Sequence, residues 1–438
     1  MSHPDPIAPL DPPATISTRA ELVDALGLAA EIEHVVLLQY LFAAFSLRRP
    51  GDEGFDPARE PVTRRFAREV LEVTHEEMTH LAVVNQLRAV LGAAPAFHRP
   101  HLPQPRGLVD QGLPPPTGPG STVAAAPSPF EHTLARFEDA TLARFMRLEL
   151  PEGQPDPTPV EAFGIDVAEP VAFAYLGDLY RQIEAGFVAL GPEAFVADPA
   201  VADAELTWGV VRADARAIPA VPDLAAARAA LKLVVTHGEG SPVAGPGSHF
   251  RTFADQRARL AALTAEGFDP ALPCAPDPRV WARHRDSTLE GTVIVDETTR
   301  GVADAANRAY RAVLLLLEWV FAYDRLRPDP SPGGGGHRQL RALSGQAMSL
   351  LVRPLGEVLA RLPVGGSDAR TAGMPFEVYE AVRLPTQREQ RQAAVADELV
   401  AVARQLAEVA AQGGPARCHR IAESAGVLVA RLAGLEEG

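Results

Sequence analysis

Two stretches of this chain place carboxylates where a helix should be apolar. On a helical wheel of roughly 100° per residue, Glu33 falls at the centre of a stripe that holds Leu26, Ala30, Val36, Leu37, Tyr40 and Ala44. Glu31 and Gln39 point away from that stripe, and His34 lies at its margin. Glu77 is centred in the same way among Val70, Val73, Leu81, Val84 and Leu91. His80 joins that face, whereas Glu72, His75, Glu76 and Thr79 fall outside it. The run His75-Glu76-Glu77-Met78-Thr79-His80 only superficially resembles HExxH. Its two histidines are separated by roughly 140° of helix. The pair that shares a face is Glu77 and His80, a Glu-x-x-His at i, i+3.

An unpaired carboxylate in an apolar interior is costly and normally neutralises or finds a cation. Two such carboxylates and an imidazole, facing one another across antiparallel helices, suit a divalent metal with mixed oxygen and nitrogen ligands. One Glu from one helix and Glu-x-x-His from the next make half the ligand set of a bundle that holds two metals. The alternative is a pair of core ion pairs to buried Arg or Lys. For the other half of the set, Glu149 shares a helix face with Leu142 and Phe145, although a solvated helix-end carboxylate reads the same way. Glu184 shares a face with Phe173, Gly177, Tyr180 and Val188, so it points inward or sits at the core's edge. Tyr40, on the Glu33 face, is either a core tyrosine packed on Leu37 and Ala44 or a group that orders a ligand or works in redox chemistry.

These residues need long helices to position them, and the pattern supplies them. Helices are expected over about residues 18–47, 62–91, 131–150, 171–190 and 223–237, and again over 302–326, 338–362, 387–412 and 418–432. Ser17 and Thr18 with Glu21 mark the first start as a capping signal. Residues 95–129 are crowded with Pro and Gly, either a lid or a draped surface loop. Thr292 to Val295 is the one strand candidate worth naming. The fold class is therefore all-α: a helical bundle over residues 18–260 behind a Pro-rich arm (1–17), followed by a second C-terminal helical layer (261–438).

Composition narrows the chemistry. The 438 residues carry 56 acidic and 41 basic side chains, a formal net charge of −15, which disfavours nucleic-acid and membrane-surface partners. Two cysteines, Cys274 and Cys418, with no CxxC, remove disulfide scaffolds, zinc ribbons and cysteine-held iron–sulfur clusters. No signal peptide is read at the N-terminus, and the apolar run Val313 to Leu317 ends too soon to span a bilayer. A cytoplasmic setting is expected. Walker A, GxGxxG, GxSxG and HExxH patterns are lacking, so hydrolase, kinase and nicotinamide-dehydrogenase readings are weak.

Together, Glu33-His34 with Gln39-Tyr40-Leu41, and Glu77-Met78-Thr79-His80-Leu81 with Asn85, Leu87 and Gly92, resemble the ferritin-like domain of iminophenyl-pyruvate dimer synthases. Those enzymes act in violacein- and rebeccamycin-type pathways. The likeness runs on through Phe145…Glu149-Leu150-Pro151, Gly177…Leu179-Tyr180, Gly238-Glu239-Gly240, Ser248-His249-Phe250, Asn307…Tyr310 and Ala372-Gly373-Met374-Pro375-Phe376-Glu377. It implies Glu33, Glu77, His80 and Glu239 as metal ligands, and draws His249 into consideration. The chain departs from the family in His237, where Gln is more usual, and in a Pro-rich insertion at about 105–129. It is also far shorter than the dimer synthases.

The expected activity is a non-haem iron (Fe2+) or manganese oxidoreductase, an oxidase or oxygenase with one metal or two. Its expected partners are dioxygen or peroxide and a small amino-acid-derived or imine substrate of bacterial secondary metabolism, with a homo-oligomer as one assembly. Haem stays an alternative cofactor, although His284, His337 and His419 lie in unremarkable contexts. The alternative functions are a ferritin-like metal-binding protein without turnover and an interaction scaffold.

Overall fold

The computed structural model describes residues 16–104, 132–149, 176–195, 206–208, 216–218, 220–237, 248–281, 291–326, 335–379 and 382–435. Helix α1 (Arg19–Ser46) opens on a capping box between Thr18 and Glu21, the two side chains each satisfying the other's backbone amide. Its residues from Ile32 to Ser46 are buried on every side. By length and composition α1 could cross a membrane, yet its most apolar window is 89% buried against other helices, which accounts for that apolarity. Helix α2 (Glu60–Val90) packs along it with Pro61 in its first turn. The two run antiparallel, because Arg88 near the end of α2 donates to the carbonyl of Val23 near the start of α1, at 2.5 Å.

A second pair packs beside the first. Helix α3 (Asp139–Leu148) pairs with α6 (His249–Ala265), held at one end by a bidentate Arg257–Asp139 contact of 2.7 and 2.8 Å. Helices α4 (Leu176–Leu190) and α5 (Leu224–His237) pack on each other and flank α1 and α2. The C-terminal layer holds α7 (Glu297–Leu326), α8 (Gly335–Ala347), a π-helical turn (Met348–Val352), α9 (Arg353–Leu359), α10 (Arg388–Ala411) and α11 (Ala416–Ala433). Helix α10 packs on α7 and α11, and α9 reaches α1. Three small strand pairs complete the described residues: β1 (Leu206–Trp208) with β2 (Arg216–Ile218), β3 (Pro278–Arg279) with β4 (Thr292–Val293), and β5 (Pro363–Gly365) with β6 (Asp368–Thr371).

Four expectations are corrected. The helix expected over 131–150 forms only from Asp139, because the preceding amides are taken by distant acceptors. His132 pairs with the backbone of Gln104, Leu134 donates to Asp277, and Phe137 donates to Ser46. The helix expected over 338–362 is interrupted by the π-helical turn just before Pro354, which lacks an amide hydrogen. The strand expected at 292–295 pairs only at Thr292–Val293. The boundary drawn between 260 and 261 falls inside α6, and one hydrophobic core runs from Ile16 to Leu432 across it.

The family-like motifs of the second half prove to be one joint. Asn307 donates to Glu377 at 2.9 Å and accepts the Glu377 amide at 2.8 Å, while Glu377 also accepts the Val280 amide. Gly373 is obligatory there: its φ is +125°, and a Cβ would lie 2.5 Å from the Phe42 ring.

Candidate metal centre

Five buried side chains from four elements meet in the middle of the bundle. Glu33 comes from α1, Glu77 and His80 from α2, Glu149 from the C-terminal cap of α3, and His249 from the first turn of α6. They form two overlapping triads, Glu33–Glu77–His80 and Glu77–Glu149–His249, with ligand atoms within 4.8 Å of one another in each. Glu77 belongs to both. His80 Nδ1 lies 3.1 Å from Glu77 Oε2 and 3.6 Å from Glu33 Oε2. His249 Nδ1 lies 2.8 Å from Glu77 Oε1 and 3.3 Å from Glu149 Oε2. The two imidazoles are stacked at an interplanar angle of 29°, with ring centroids 5.9 Å apart.

The outer carboxylates are braced in matching ways. Tyr180 on α4 donates to Glu33 Oε1, and Tyr40 on α1 donates to Glu149 Oε1 at 2.5 Å. Tyr40 packs against Phe145 and Phe253, so it is at once a core tyrosine and a hydrogen-bond donor to the cluster. Each tyrosine occupies one carboxylate oxygen.

The donor set fits a metal ion. Three carboxylates and two imidazoles are hard to borderline ligands of the kind that iron and manganese accept. Glu33 Oε2 and Glu77 Oε1 are buried oxygens that, among the described residues, meet no donor other than an imidazole nitrogen, at 3.6 and 2.8 Å. Among the described residues, no Arg or Lys pairs with Glu33 or Glu77, so the core-ion-pair alternative finds only histidine. Without a metal, protons carry the balance. Burial raises Glu77, against the pull of His80 and His249. Burial also opposes charge on His80, but Glu77 and Glu33 outweigh it and push the imidazole up to about 9. His249 is likewise raised by Glu149 and Glu77 against its burial. For Glu33 the burial penalty is outweighed by the His80 hydrogen bond and charge, and the group is lowered. Such a cluster exchanges protons for cations.

The other sequence candidates fall as follows. Glu184 is corrected: Tyr180, Ile183 and Phe187 take the buried face of α4, and Glu184 pairs with Arg228 at 2.7 Å near the surface. Glu239 lies outside the described residues, as does the side chain of His237. His34 is buried away from the cluster with Nε2 2.6 Å from the Tyr310 hydroxyl, its neutral form favoured by burial and by Arg99. His419 is exposed beside Glu423.

The resemblance drew in His249, but the helix that positions it, α6, was not expected. Ser248 caps that helix, and His249 shares its buried face with Phe253, Gln256, Leu260 and Leu263. The cap and the period were legible there, but the helix was not drawn. Tyr180 as a donor to Glu33 was missed as well. The second histidine has no Glu three residues before it, because position 246 is Pro246 and its carboxylate partner Glu149 stands on α3.

Beside this centre lies a cavity of about 850 Å³ between α1, α2, α7 and the π-helical turn. Its lining is mainly aliphatic and aromatic, including Leu37, Leu41, Val313, Leu317, Phe321 and Met348. None of the five cluster residues lines it. Glu76 does, and Glu76 Oε2 is 2.7 Å from His249 Nε2.

Comparison with known proteins gives the family of the chain. The ferritin-like family model matches residues 26–257, more than half of the chain. The chain belongs to the ferritin-like family. Two curated relatives are similar over most of it. The 2-imino-3-(indol-3-yl)propanoate dimerase of Chromobacterium violaceum is 29% identical over 396 residues, which is 83% of this chain and 34% of that protein. The dichlorochromopyrrolate synthase of Lentzea aerocolonigenes is 28% identical over 400 residues, 83% of this chain and 36% of that protein. The ferritin-like chain thus spans about a third of the length of these relatives. A solved ferritin-like protein from Caulobacter vibrioides superposes with a TM-score of 0.48 and 13% identity, covering 82% of this chain and 100% of its own.

Proposed function

We propose that this ferritin-like chain is a metal-dependent oxidative enzyme of bacterial secondary metabolism, acting on a small amino-acid-derived or imine substrate. The observation that carries the reading is the buried pair of triads sharing Glu77, with two carboxylate oxygens that, among the described residues, meet no donor other than an imidazole nitrogen. Glu33 and His80 would hold one ion, Glu149 and His249 a second, with Glu77 between them and Glu239 as a further candidate. Iron, or manganese in its place, would supply there the redox chemistry and open positions for dioxygen or peroxide.

The rest falls to the chain's own groups. Tyr180 and Tyr40 fix the outer carboxylates in one rotamer, which keeps the ligand set preorganised. The apolar cavity matches the size of a small-molecule site and meets the cluster at Glu76. A substrate held there would lose its water shell beside the centre. The two relatives, named for coupling an imino acid and for making a chromopyrrolate, support an imine or amino-acid-derived substrate.

Metal analysis of the purified chain tests this reading. One or two equivalents of iron or manganese in wild type, lost in Glu77→Ala and reduced in His80→Ala, are expected. Oxygen uptake that depends on added 2-imino or 2-amino acid then separates an enzyme from a metal-binding protein without turnover. A wild-type chain that neither holds nor takes up Fe(II) anaerobically would sink the reading.

A further inference from the structure

Glu76 precedes Glu77 in the chain but points to a different side of α2, outside the apolar face that the wheel defines. Its carboxylate is 19% exposed and lines the cavity, whereas His249 beside it is 1% exposed. The contact between them uses His249 Nε2, at 2.7 Å. The other ring nitrogen, Nδ1, is the one that faces Glu77 and Glu149. One imidazole therefore has its two nitrogens in separate roles.

A neutral imidazole has one N–H and one lone pair, and whichever nitrogen carries the hydrogen cannot bind a metal. A carboxylate acts only as an acceptor, so at Nε2 it holds the hydrogen there and leaves the Nδ1 lone pair for the cluster. The ring is also fixed in plane, because it is gripped at opposite edges by α2 side chains one residue apart in sequence. We propose that Glu76 is a positioning residue for the metal centre: through Nε2 it sets the tautomer and orientation in which His249 presents Nδ1. This rests on the metal-centre reading above and adds to it a side chain that is not itself a ligand. It also connects the cavity wall to the ligand shell, since Glu76 lines the one and holds His249 of the other.

The test uses the full chain, stripped of metal with a chelator and titrated anaerobically with Co(II), read by calorimetry and by cobalt absorbance. Compared with wild type, Glu76→Ala should weaken one of the two equivalents by about 10- to 100-fold, the range typical of such outer partners, and leave the other in place. Glu76→Gln should bind both within a few-fold of wild type, because its amide oxygen accepts the same N–H. Glu76→Ala combined with His249→Ala should bind no more weakly than His249→Ala alone. Both equivalents bound normally by Glu76→Ala would overturn the role, as would additive losses in the double variant, which would make Glu76 a ligand in its own right. A Gln variant as weak as the Ala variant would also overturn it. If Glu76→Ala lowers the metal-free melting temperature, Glu76→Gln decides alone, retention of both equivalents supporting the role and loss of one overturning it. Wild type that binds no Co(II) fails the metal reading itself, and this role with it.

Discussion

Glu77 is the one side chain common to both triads, so substitutions across the cluster should differ in kind and not only in degree. Glu77→Ala is expected to abolish binding of both ions. His80→Ala should cost the ion on the Glu33 side and His249→Ala the ion on the Glu149 side, each leaving about one equivalent by metal analysis. Loss of a single equivalent in Glu77→Ala would show that the two triads do not share it. Tyr40→Phe removes the donor to Glu149 without removing volume and should lower metal affinity on that side by about 10-fold, measured by the same titration. Legibility in the sequence followed regularity at this scale. Glu33, Glu77 and His80 lie in the middle of long helices, where a wheel has many neighbours to define the face. His249 lies at the very start of its helix, with its carboxylate partner on another element, so no short spacing ties the two together. Glu184 misled because it sits one position from Ile183 and four from Tyr180, close enough to the buried face of α4 to share its apparent stripe.

At the scale of elements, the extended strap over 132–138 is the piece that helix periodicity could not show. Its backbone and side chains are bound to Gln104, Gln39, Asp277 and Ser46, residues far away in the chain. His132 is one of the strap's contacts with α1, beside Thr133 on Gln39 and Phe137 on Ser46: Gln39 Nε2 lies 3.1 Å from its Nδ1, which accepts only while the ring is neutral. Burial, with Arg144 nearby, pushes His132 down to about 4. Between that value and the ordinary 6.5, the unfolded chain binds a proton that the folded chain refuses. Stability from this group is therefore complete above pH 6.5 and falls as pH drops toward 4, by about 3 kcal/mol in all at about 1.4 kcal/mol per pH unit. Urea unfolding of wild type and His132→Gln from pH 7 to 4.5 should show the steeper decline in wild type. Parallel declines would mean that the strap does not depend on a neutral His132. His34, also held neutral by burial, declines in both proteins and cancels in the comparison.

At the scale of the whole molecule, the helical pattern foretold both halves but not how tightly they join, because a seam is made by side chains from distant segments. Glu357 on α9, 2% exposed, is bound by Arg49 at 2.7 Å, Arg353 at 2.9 Å and Arg417 at 2.6 Å, which ties the loop after α1 to α9 and α11. Arg361 grips Asp52 with two contacts of 2.8 and 2.6 Å. Helix α9 lies so close to α1 that a Cβ on Gly356 would sit 2.2 Å from the Phe45 ring. Gly356→Ala must therefore separate the two helices or displace a buried phenylalanine, at a cost of about 1–3 kcal/mol. Phe45, Arg49 and Arg353 of this seam also line the cavity between α1, α2 and α7, so the halves should not fold separately. Calorimetry of the full chain is expected to show one unfolding transition, shifted to lower temperature by Gly356→Ala. A fragment ending at residue 265, which keeps α6 whole, leaves the apolar flank of α1 uncovered and should lack a cooperative melt by circular dichroism. Two resolved transitions in the full chain, or a fragment that melts cooperatively as a monomer, would mean that the bundle stands without its second layer and that the cavity is a joint between independent domains.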